Sequence, residues 1–112
     1  GSKDKYTLHL DDQNFQSTIA SGVVLVDYWA EWCKPCKAME PALHAVAKEM
    51  YGKAVVAKLD IDQHRSIAEG QGIEVIPTMI IYKDGKEVNR LMGMQSQESL
   101  AEALQQAMIS IP

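Results

Sequence analysis

Residues 23–28 constrain the fold most, because β-branched and aromatic side chains follow one another there without the alternation of a half-buried strand. A segment of this kind is typical of a strand that is covered on both faces. A second run of this kind extends from Ala54 to Leu59. Two strands covered on both faces need helices on each side of one sheet, and this requirement predicts an α/β fold.

A long helix is predicted between these two strands. From Pro35 to Met50, apolar residues recur every three or four positions, which places them on one side of a helix. Gly52 is expected to end this helix. Pro41 is expected to bend it, because proline has no N–H group and its ring crowds the preceding turn.

Two shorter helices flank this core unit. Acidic residues before Phe15 are suitable caps for a first helix that ends near Ser21 and Gly22. The acidic segment 60–62 is expected to cap another short helix that extends through Glu69. Helices on both sides of the sheet therefore come from several parts of the chain.

The dipeptide Asp84-Gly85 predicts a tight antiparallel turn between strands at residues 78–83 and 87–92. A final amphipathic helix begins at a serine, Ser96 or Ser99, and extends to residue 109.

The resulting order is β-α-β and, after a further helix, β-β-α. The two strands of the β-α-β unit in the first half of the chain should be parallel, with a right-handed crossover between them. Ligand chemistry in such sheets lies beyond the carboxyl ends of the strands, and the segment 32–36 falls at that place.

Size and charge exclude several classes of protein. The 112 residues, 46% of them hydrophobic, fit one domain at residues 6–112, and residues 1–5 are expected to be disordered, with Gly1-Ser2 a tag remnant. A net charge of -4 opposes binding to nucleic acid, and no apolar run approaches the ~20 residues that span a bilayer. The absence of a signal peptide predicts a cytoplasmic protein.

Cys33 and Cys36 are the only cysteines, and two residues separate them. In a cytoplasmic chain this spacing indicates redox or metal chemistry rather than a structural disulfide. A zinc site would need further ligands from His9, His44 or His64, none of which forms a second close-spaced pair, so no metal is expected. At the start of a helix, Cys33 is expected to be the attacking thiolate, and Cys36, on the same face, the resolving thiol.

The stretch from Asp27 to Lys37 resembles the active-site segment of the thioredoxin family. Segments 58–62 and 72–78, together with Asp84-Gly85 and Gly93, also resemble that family at familiar separations, so the resemblance covers about residues 6–109. It implies a thioredoxin-like α/β fold, with a central mixed β-sheet of about five strands flanked by four helices. Lys34 departs from the family, which most often has glycine between the first cysteine and the proline.

Two charged residues of the predicted site are expected near the cysteines. Asp27 ends an apolar run, so it is expected to be buried, with a raised pKa, and to exchange a proton with Cys36; the alternative is a carboxylate at the surface end of the strand. Lys58 matches the family lysine that approaches this aspartate, but strands also carry outward lysines.

The substrate-binding residues follow from the resemblance. Ile76-Pro77 matches the family's cis-proline loop, whose preceding backbone pairs with an extended substrate segment; a plain turn proline is the alternative. The backbone and side chains implied in substrate binding are those of Trp32, Lys34, Pro35, Val75, Ile76, Pro77, Gly93 and Met94. Trp29 is expected to pack beneath Cys33.

The function implied is reduction of protein disulfides by dithiol–disulfide exchange. The redox-active disulfide is the only redox group expected, with no other cofactor, and a thioredoxin reductase is expected to recycle it because the chain has no nucleotide-binding motif. The protein is expected to be a monomer that acts on disulfide-containing proteins. A disulfide isomerase or oxidase of the same fold and a non-catalytic binding subunit are the alternatives.

Overall fold

The computed structural model describes residues 5–110, and a mixed sheet of five strands with five helices makes up this part of the chain. The elements are β1 (Thr7–His9), α1 (Phe15–Ile19), β2 (Val23–Trp29), α2 (Lys34–Ala38), α3 (Glu40–Glu49), β3 (Val55–Asp60), α4 (Arg65–Gly70), β4 (Thr78–Lys83), β5 (Lys86–Met92) and α5 (Gln97–Ile109). Residues 1–4, which include the predicted tag remnant, lie outside the described residues.

The strand order in the sheet is β1-β3-β2-β4-β5. β1, β3 and β2 are parallel, whereas β4 pairs antiparallel with β2, and β5 antiparallel with β4. The predicted parallel first half and antiparallel second half are therefore confirmed. β2 lies at the centre, with a strand on each side.

Each face of the sheet has its own hydrophobic core. Val23 and Leu25 of β2 pack on one face with buried residues of α3 and α5. Val24 and Val26 point to the other face, where they pack with buried residues of α1 and α4. Burial of β2 on both faces, the first expectation from the sequence, is confirmed.

The hairpin and the last helix also form as predicted. Asp84 and Gly85 have φ angles of 51° and 87°, the left-handed conformations that a tight antiparallel turn requires at both central residues. Of the two candidate serines, Ser96 is the cap of α5, because its Oγ accepts a hydrogen bond from the Ser99 N–H at 3.1 Å.

The long helix predicted from Pro35 to Met50 is two helices, α2 and α3, that meet at Met39. Pro41 does not bend a continuous helix; it lies in the first turn of α3, where the missing N–H has no partner in any case. The chain therefore has five helices within residues 5–110 instead of the four expected. The periodicity of apolar side chains continues across the break, which is why it predicted one helix.

Helix boundaries and one strand differ from the sequence prediction. α1 ends at Ile19, short of Ser21 and Gly22. α4 begins only at Arg65, because Asp60 accepts hydrogen bonds from the backbone N–H groups of residues 62 and 63 and so stabilises a turn instead of capping the helix. β1, which residue patterns did not predict, is a three-residue edge strand.

Candidate active site

The two cysteines lie where β2 ends and α2 begins. Cys33 is the residue that precedes α2, and its Sγ forms a disulfide with Cys36, with 5.3 Å between the two Cα atoms. The backbone N–H of Cys36 also points at Cys33 Sγ, with the nitrogen 3.2 Å from the sulfur. A negative charge on Cys33 Sγ would be stabilised by this N–H and by the positive end of the helix dipole.

The disulfide is set in an apolar environment. Cys33 is 5% exposed and Cys36 2% exposed, and both pack with Ala30, while Trp29 and Ile76 lie against this cluster. Trp29 thus packs at the cysteines as predicted. Cys33 is slightly the more exposed of the two buried cysteines.

The loop before β4 is held against the cysteines. The Ile76–Pro77 peptide bond is cis, and Ile76 packs against the cysteine cluster. The loop is fixed from two sides, since the Gly93 N–H donates to the Pro77 carbonyl at 2.8 Å and the Thr78 hydroxyl donates to the Val75 carbonyl at 2.7 Å. The Ile76–Pro77 bond is cis, as the resemblance implied, and the role of Pro77 in substrate binding stays a prediction.

Exposed side chains surround the disulfide and the cis-proline loop. Trp32 is 67% exposed, and its indole N–H donates to Asp62 at 2.8 Å. Lys34 and Pro35 are exposed in the first turn of α2. Val75 and Met94 are about half exposed. Trp32, Val75 and Met94 therefore present accessible apolar surface on three separate segments of the chain, whereas Pro77 is buried.

Asp27 is buried in β2 with only 1% of its surface exposed, so the alternative of a surface carboxylate is wrong. Its Oδ1 has no hydrogen-bond partner among the described residues. Burial raises the pKa of the Asp27 carboxyl to about 7; the positive charge of Lys58 opposes this rise and the negative charge of Glu40 adds to it. A carboxyl with such a pKa can accept and return a proton near neutral pH.

Lys58 lies beside Asp27, because the two residues are partners in the parallel register of β2 and β3. It is 4% exposed, so it is not an outward lysine. Its Nζ donates a hydrogen bond to Glu40 Oε2 at 3.1 Å and lies 4.1 Å from the centre of the Trp29 ring. The ammonium is therefore bonded to a residue that the sequence did not single out.

Comparison with known proteins identifies the family. A sequence model of the thioredoxin family matches residues 6–106. The thioredoxins of Staphylococcus aureus and Staphylococcus haemolyticus are 46% and 47% identical to the chain over 93 residues, which are 83% of this chain and 89% of each relative. The chain belongs to the thioredoxin family. A solved mutant thioredoxin from Halobacterium salinarum, 27% identical, has a TM-score of 0.86 with 100% of both chains covered.

Membership of the thioredoxin family confirms both the fold and the class of chemistry. The chain is a thiol–disulfide oxidoreductase, and Cys33 and Cys36 form the disulfide of its CxxC motif. The roles of the individual site residues stay predictions. So does the absence of a further cofactor, although among residues 5–110 no three His, Cys, Asp or Glu side chains are grouped as a metal site would need. None of the helices within the described range is both long and apolar enough to traverse a bilayer.

Three residues near the site were missed in the sequence. Asp62 fixes the Trp32 indole, and Met92, 62% exposed, is the strand partner of Thr78 beside the cis-proline loop. Glu40 binds Lys58. Its position four residues after Cys36 would have placed it on the cysteine face of a continuous helix, and this was the available signal.

The raised pKa of Asp27 predicts how stability depends on pH. Above its ordinary pKa of 3.8 the unfolded chain loses the proton, whereas the folded chain keeps it until about 7. The free energy of unfolding should therefore fall as the pH rises from about 4 to about 7, by on the order of 4 kcal/mol from this group alone, and then level off.

Asp27→Asn should remove this step, so we expect the variant to gain stability over the parent protein as the pH rises. Urea unfolding of both oxidised proteins over this pH range measures the difference between their free energies of unfolding. The titrations of all other groups cancel in that difference. Parallel pH curves for the two proteins would show that Asp27 has no raised pKa.

Proposed function

We propose that this thioredoxin-family protein is a reductant of protein disulfides, with Cys33 as nucleophile and Cys36 as resolving thiol. The observation that carries the proposal is the position of Cys33 at the N-cap of α2, where the N–H of Cys36 meets its sulfur. This environment favours the thiolate, which is the attacking form in disulfide exchange.

The reaction balances over two steps. The Cys33 thiolate attacks one sulfur of a substrate disulfide, forms a mixed disulfide and releases the other substrate sulfur as a thiolate, which takes a proton from water. Cys36, deprotonated, then attacks Cys33 Sγ, breaks the mixed disulfide and releases the second substrate thiol. The Cys33–Cys36 pair loses two electrons and the substrate disulfide gains them.

Asp27 is proposed as the group that takes the proton from Cys36. Support comes from its burial, which raises its pKa to about 7, and from its unpartnered Oδ1, which leaves an acceptor free. Near neutral pH such a carboxyl is present in both protonation states, as a group that alternates between base and acid requires. Lys58, partner of Asp27 in the sheet register, is proposed to support this exchange through its charge.

Substrate binding is proposed at the rim of the disulfide. An extended peptide would pair with the backbone of Val75 and Ile76, in the manner of an added strand. Ile76 already packs against the cysteines, so a peptide on this loop is next to Cys33. The exposed side chains of Trp32 and Met94, the first turn of α2 with Lys34 and Pro35, and the backbone at Pro77 and Gly93 would complete the surface.

The remaining elements of the proposal concern partners and compartment. A separate reductase of the thioredoxin reductase type would return two electrons to the Cys33–Cys36 disulfide, and disulfide-containing proteins would be the substrates. We propose that the protein acts in the cytoplasm as a monomer without a nucleic-acid partner; a net charge of -4 supports the last point.

An insulin-reduction assay with a thioredoxin reductase and its electron donor tests this function. We expect turnover with the parent protein and none with the Cys33→Ser, Cys36→Ser double variant. A redox titration then fixes the direction: a potential near about -270 mV identifies a reductant, whereas about -180 mV or above identifies an isomerase or oxidant. A double variant that keeps its cellular role would instead indicate a binding subunit.

The role of Asp27 predicts a kinetic effect. Asp27→Asn should slow disulfide reduction near neutral pH by about ten- to a hundredfold, because the amide cannot take the proton of Cys36. Stopped-flow measurement of the reaction across pH, on protein whose folding has been checked by circular dichroism, gives the rates. Equal rates for both proteins at every pH would remove Asp27 from the mechanism.

We expect substitution of Lys34 to change the redox potential only slightly. Its charge is one residue from Cys33 and exposed, so it favours the thiolate and the reduced form only weakly. Lys34→Gly should make the potential more reducing by roughly 5–20 mV, measured by equilibrium with glutathione. A difference above about 60 mV would contradict this electrostatic account, since backbone rearrangement would then be required.

A further inference from the structure

The ammonium of Lys58 is hydrogen-bonded to Glu40, although Asp27 is its neighbour in the sheet. Asp27 and Lys58 are register partners in adjacent strands, yet Asp27 Oδ1 has no hydrogen-bond partner. Lys58 Nζ is instead bonded to Glu40 at 3.1 Å and lies over the Trp29 ring, 4.1 Å from its centre. Glu40 and Trp29 therefore hold the ammonium in contacts of their own, while Asp27 Oδ1 stays without a hydrogen bond among the described residues.

Glu40 is placed for this contact by the break between α2 and α3. It is the first residue of α3, where a carboxylate is favourable at the helix N-terminus, and it precedes Pro41. Its side chain is 35% exposed, against 5% for Lys58, so Glu40 stands between the buried pair and solvent. A low local dielectric on the Lys58 side makes this ion pair stronger than an exposed one.

Most of the other charged groups near Lys58 have contacts of their own. A cavity of about 540 Å³ borders Lys58 and Glu40, and its other charged or titratable side chains are His9, Asp11, Glu31, Lys37, Asp60 and His64. Three of these groups, Lys37, Glu31 and Asp60, have other partners. Lys37 pairs with Glu31 at 3.0 Å, and Asp60 accepts two backbone N–H groups.

The remaining titratable groups do not replace Glu40. Asp11 accepts the N–H groups of residues 13 and 14, and His64 lies 3.6 Å from Asp12. His9, on β1, lines the same cavity and makes its own contact. Among the contacts described for Lys58, the carboxylate that binds its ammonium is that of Glu40.

We propose that Glu40 is a positioning residue of the redox site: its carboxylate fixes the Lys58 ammonium on the Trp29 ring and thereby limits how strongly Lys58 stabilises the negative charge of Asp27. Two effects then act in the same direction. The negative charge of Glu40 disfavours ionisation of Asp27. Its bond to Lys58 also restrains the ammonium that would favour that ionisation. Both keep the proton on Asp27 to higher pH.

The consequence concerns the resolving step, and this part rests on the function proposed for Asp27. A carboxyl that keeps its proton to higher pH is a stronger base once ionised. Removal of Glu40 would free Lys58 to approach Asp27, and Asp27 would lose its proton at lower pH. A purely structural ion pair would change stability without changing this titration.

Glu40→Gln tests the proposal, because glutamine keeps the size of the side chain and removes its charge. The titration of Asp27 is read directly from the 13C chemical shift of its carboxyl carbon in the oxidised protein. We expect the midpoint to move to lower pH by about 0.5–1 unit. Glu49→Gln is the matched control, since it removes the same charge from the exposed far end of the same helix and should leave the midpoint unchanged.

A double-mutant cycle separates positioning from a direct charge effect. Lys58→Met removes the ammonium and keeps an apolar stem, and the effect of Glu40→Gln is then measured in that background. If Glu40 acts through Lys58, its effect on the Asp27 midpoint should shrink by at least about half. An undiminished effect, or no shift of the midpoint in Glu40→Gln alone, would overturn the proposal.

The pH dependence of disulfide reduction completes the test. We expect the rate profile of Glu40→Gln to move to lower pH together with the Asp27 midpoint. A midpoint that moves while the rate profile stays in place would support Glu40 as the residue that positions Lys58 and contradict the proton-transfer role of Asp27. The two proposals can therefore fail separately.

Discussion

The burial of β2 on both faces is the constraint from which the site follows. A strand with a neighbour on each side and a core on each face has no side chain that meets solvent along most of its length. Apolar residues gain stability from this position, but the one acid in the strand, Asp27, loses its hydration. Beyond the carboxyl end of the same strand the chain turns into α2 and places Cys33 at the start of that helix. This strand therefore supplies the desolvated acid and leads into the helix that carries the cysteines.

The site combines two opposite electrostatic environments. At Cys33, the N–H of Cys36 and the positive end of the α2 dipole favour negative charge. At Asp27, burial disfavours it, and the pKa rises to about 7. The proposed dithiol exchange would use both conditions, because the first sulfur must be ionised before the substrate arrives, whereas the second must give up its proton only afterwards. The fold places these environments at the end and in the middle of the same strand.

The sequence predicted the features that depend on local chemistry. A tight turn at Asp84-Gly85 follows from two residues that tolerate positive φ, and the cysteine pair follows from its spacing. The break between α2 and α3 was not predictable from periodicity, because the apolar positions stay in phase across Met39. β1 was missed because three residues at a sheet edge carry too little pattern. The contact of Lys58 with Glu40 depends on two elements meeting in space, and alternation along a strand cannot show which partner a buried lysine finds.

Lys34 and Glu40 are two charged residues near this disulfide, and their positions decide which of them has the larger electrostatic effect on the site. Lys34 stands inside the motif, where comparison of sequences shows it at once, but its side chain is in water and its field is screened. Glu40 stands outside the motif, yet it binds an ammonium that is 5% exposed and adjoins the buried acid. Interactions of buried charges are weakened less by solvent than those of exposed ones. We therefore expect the pH dependence of this oxidoreductase to be governed more by the carboxylate of Glu40 than by the charge of Lys34.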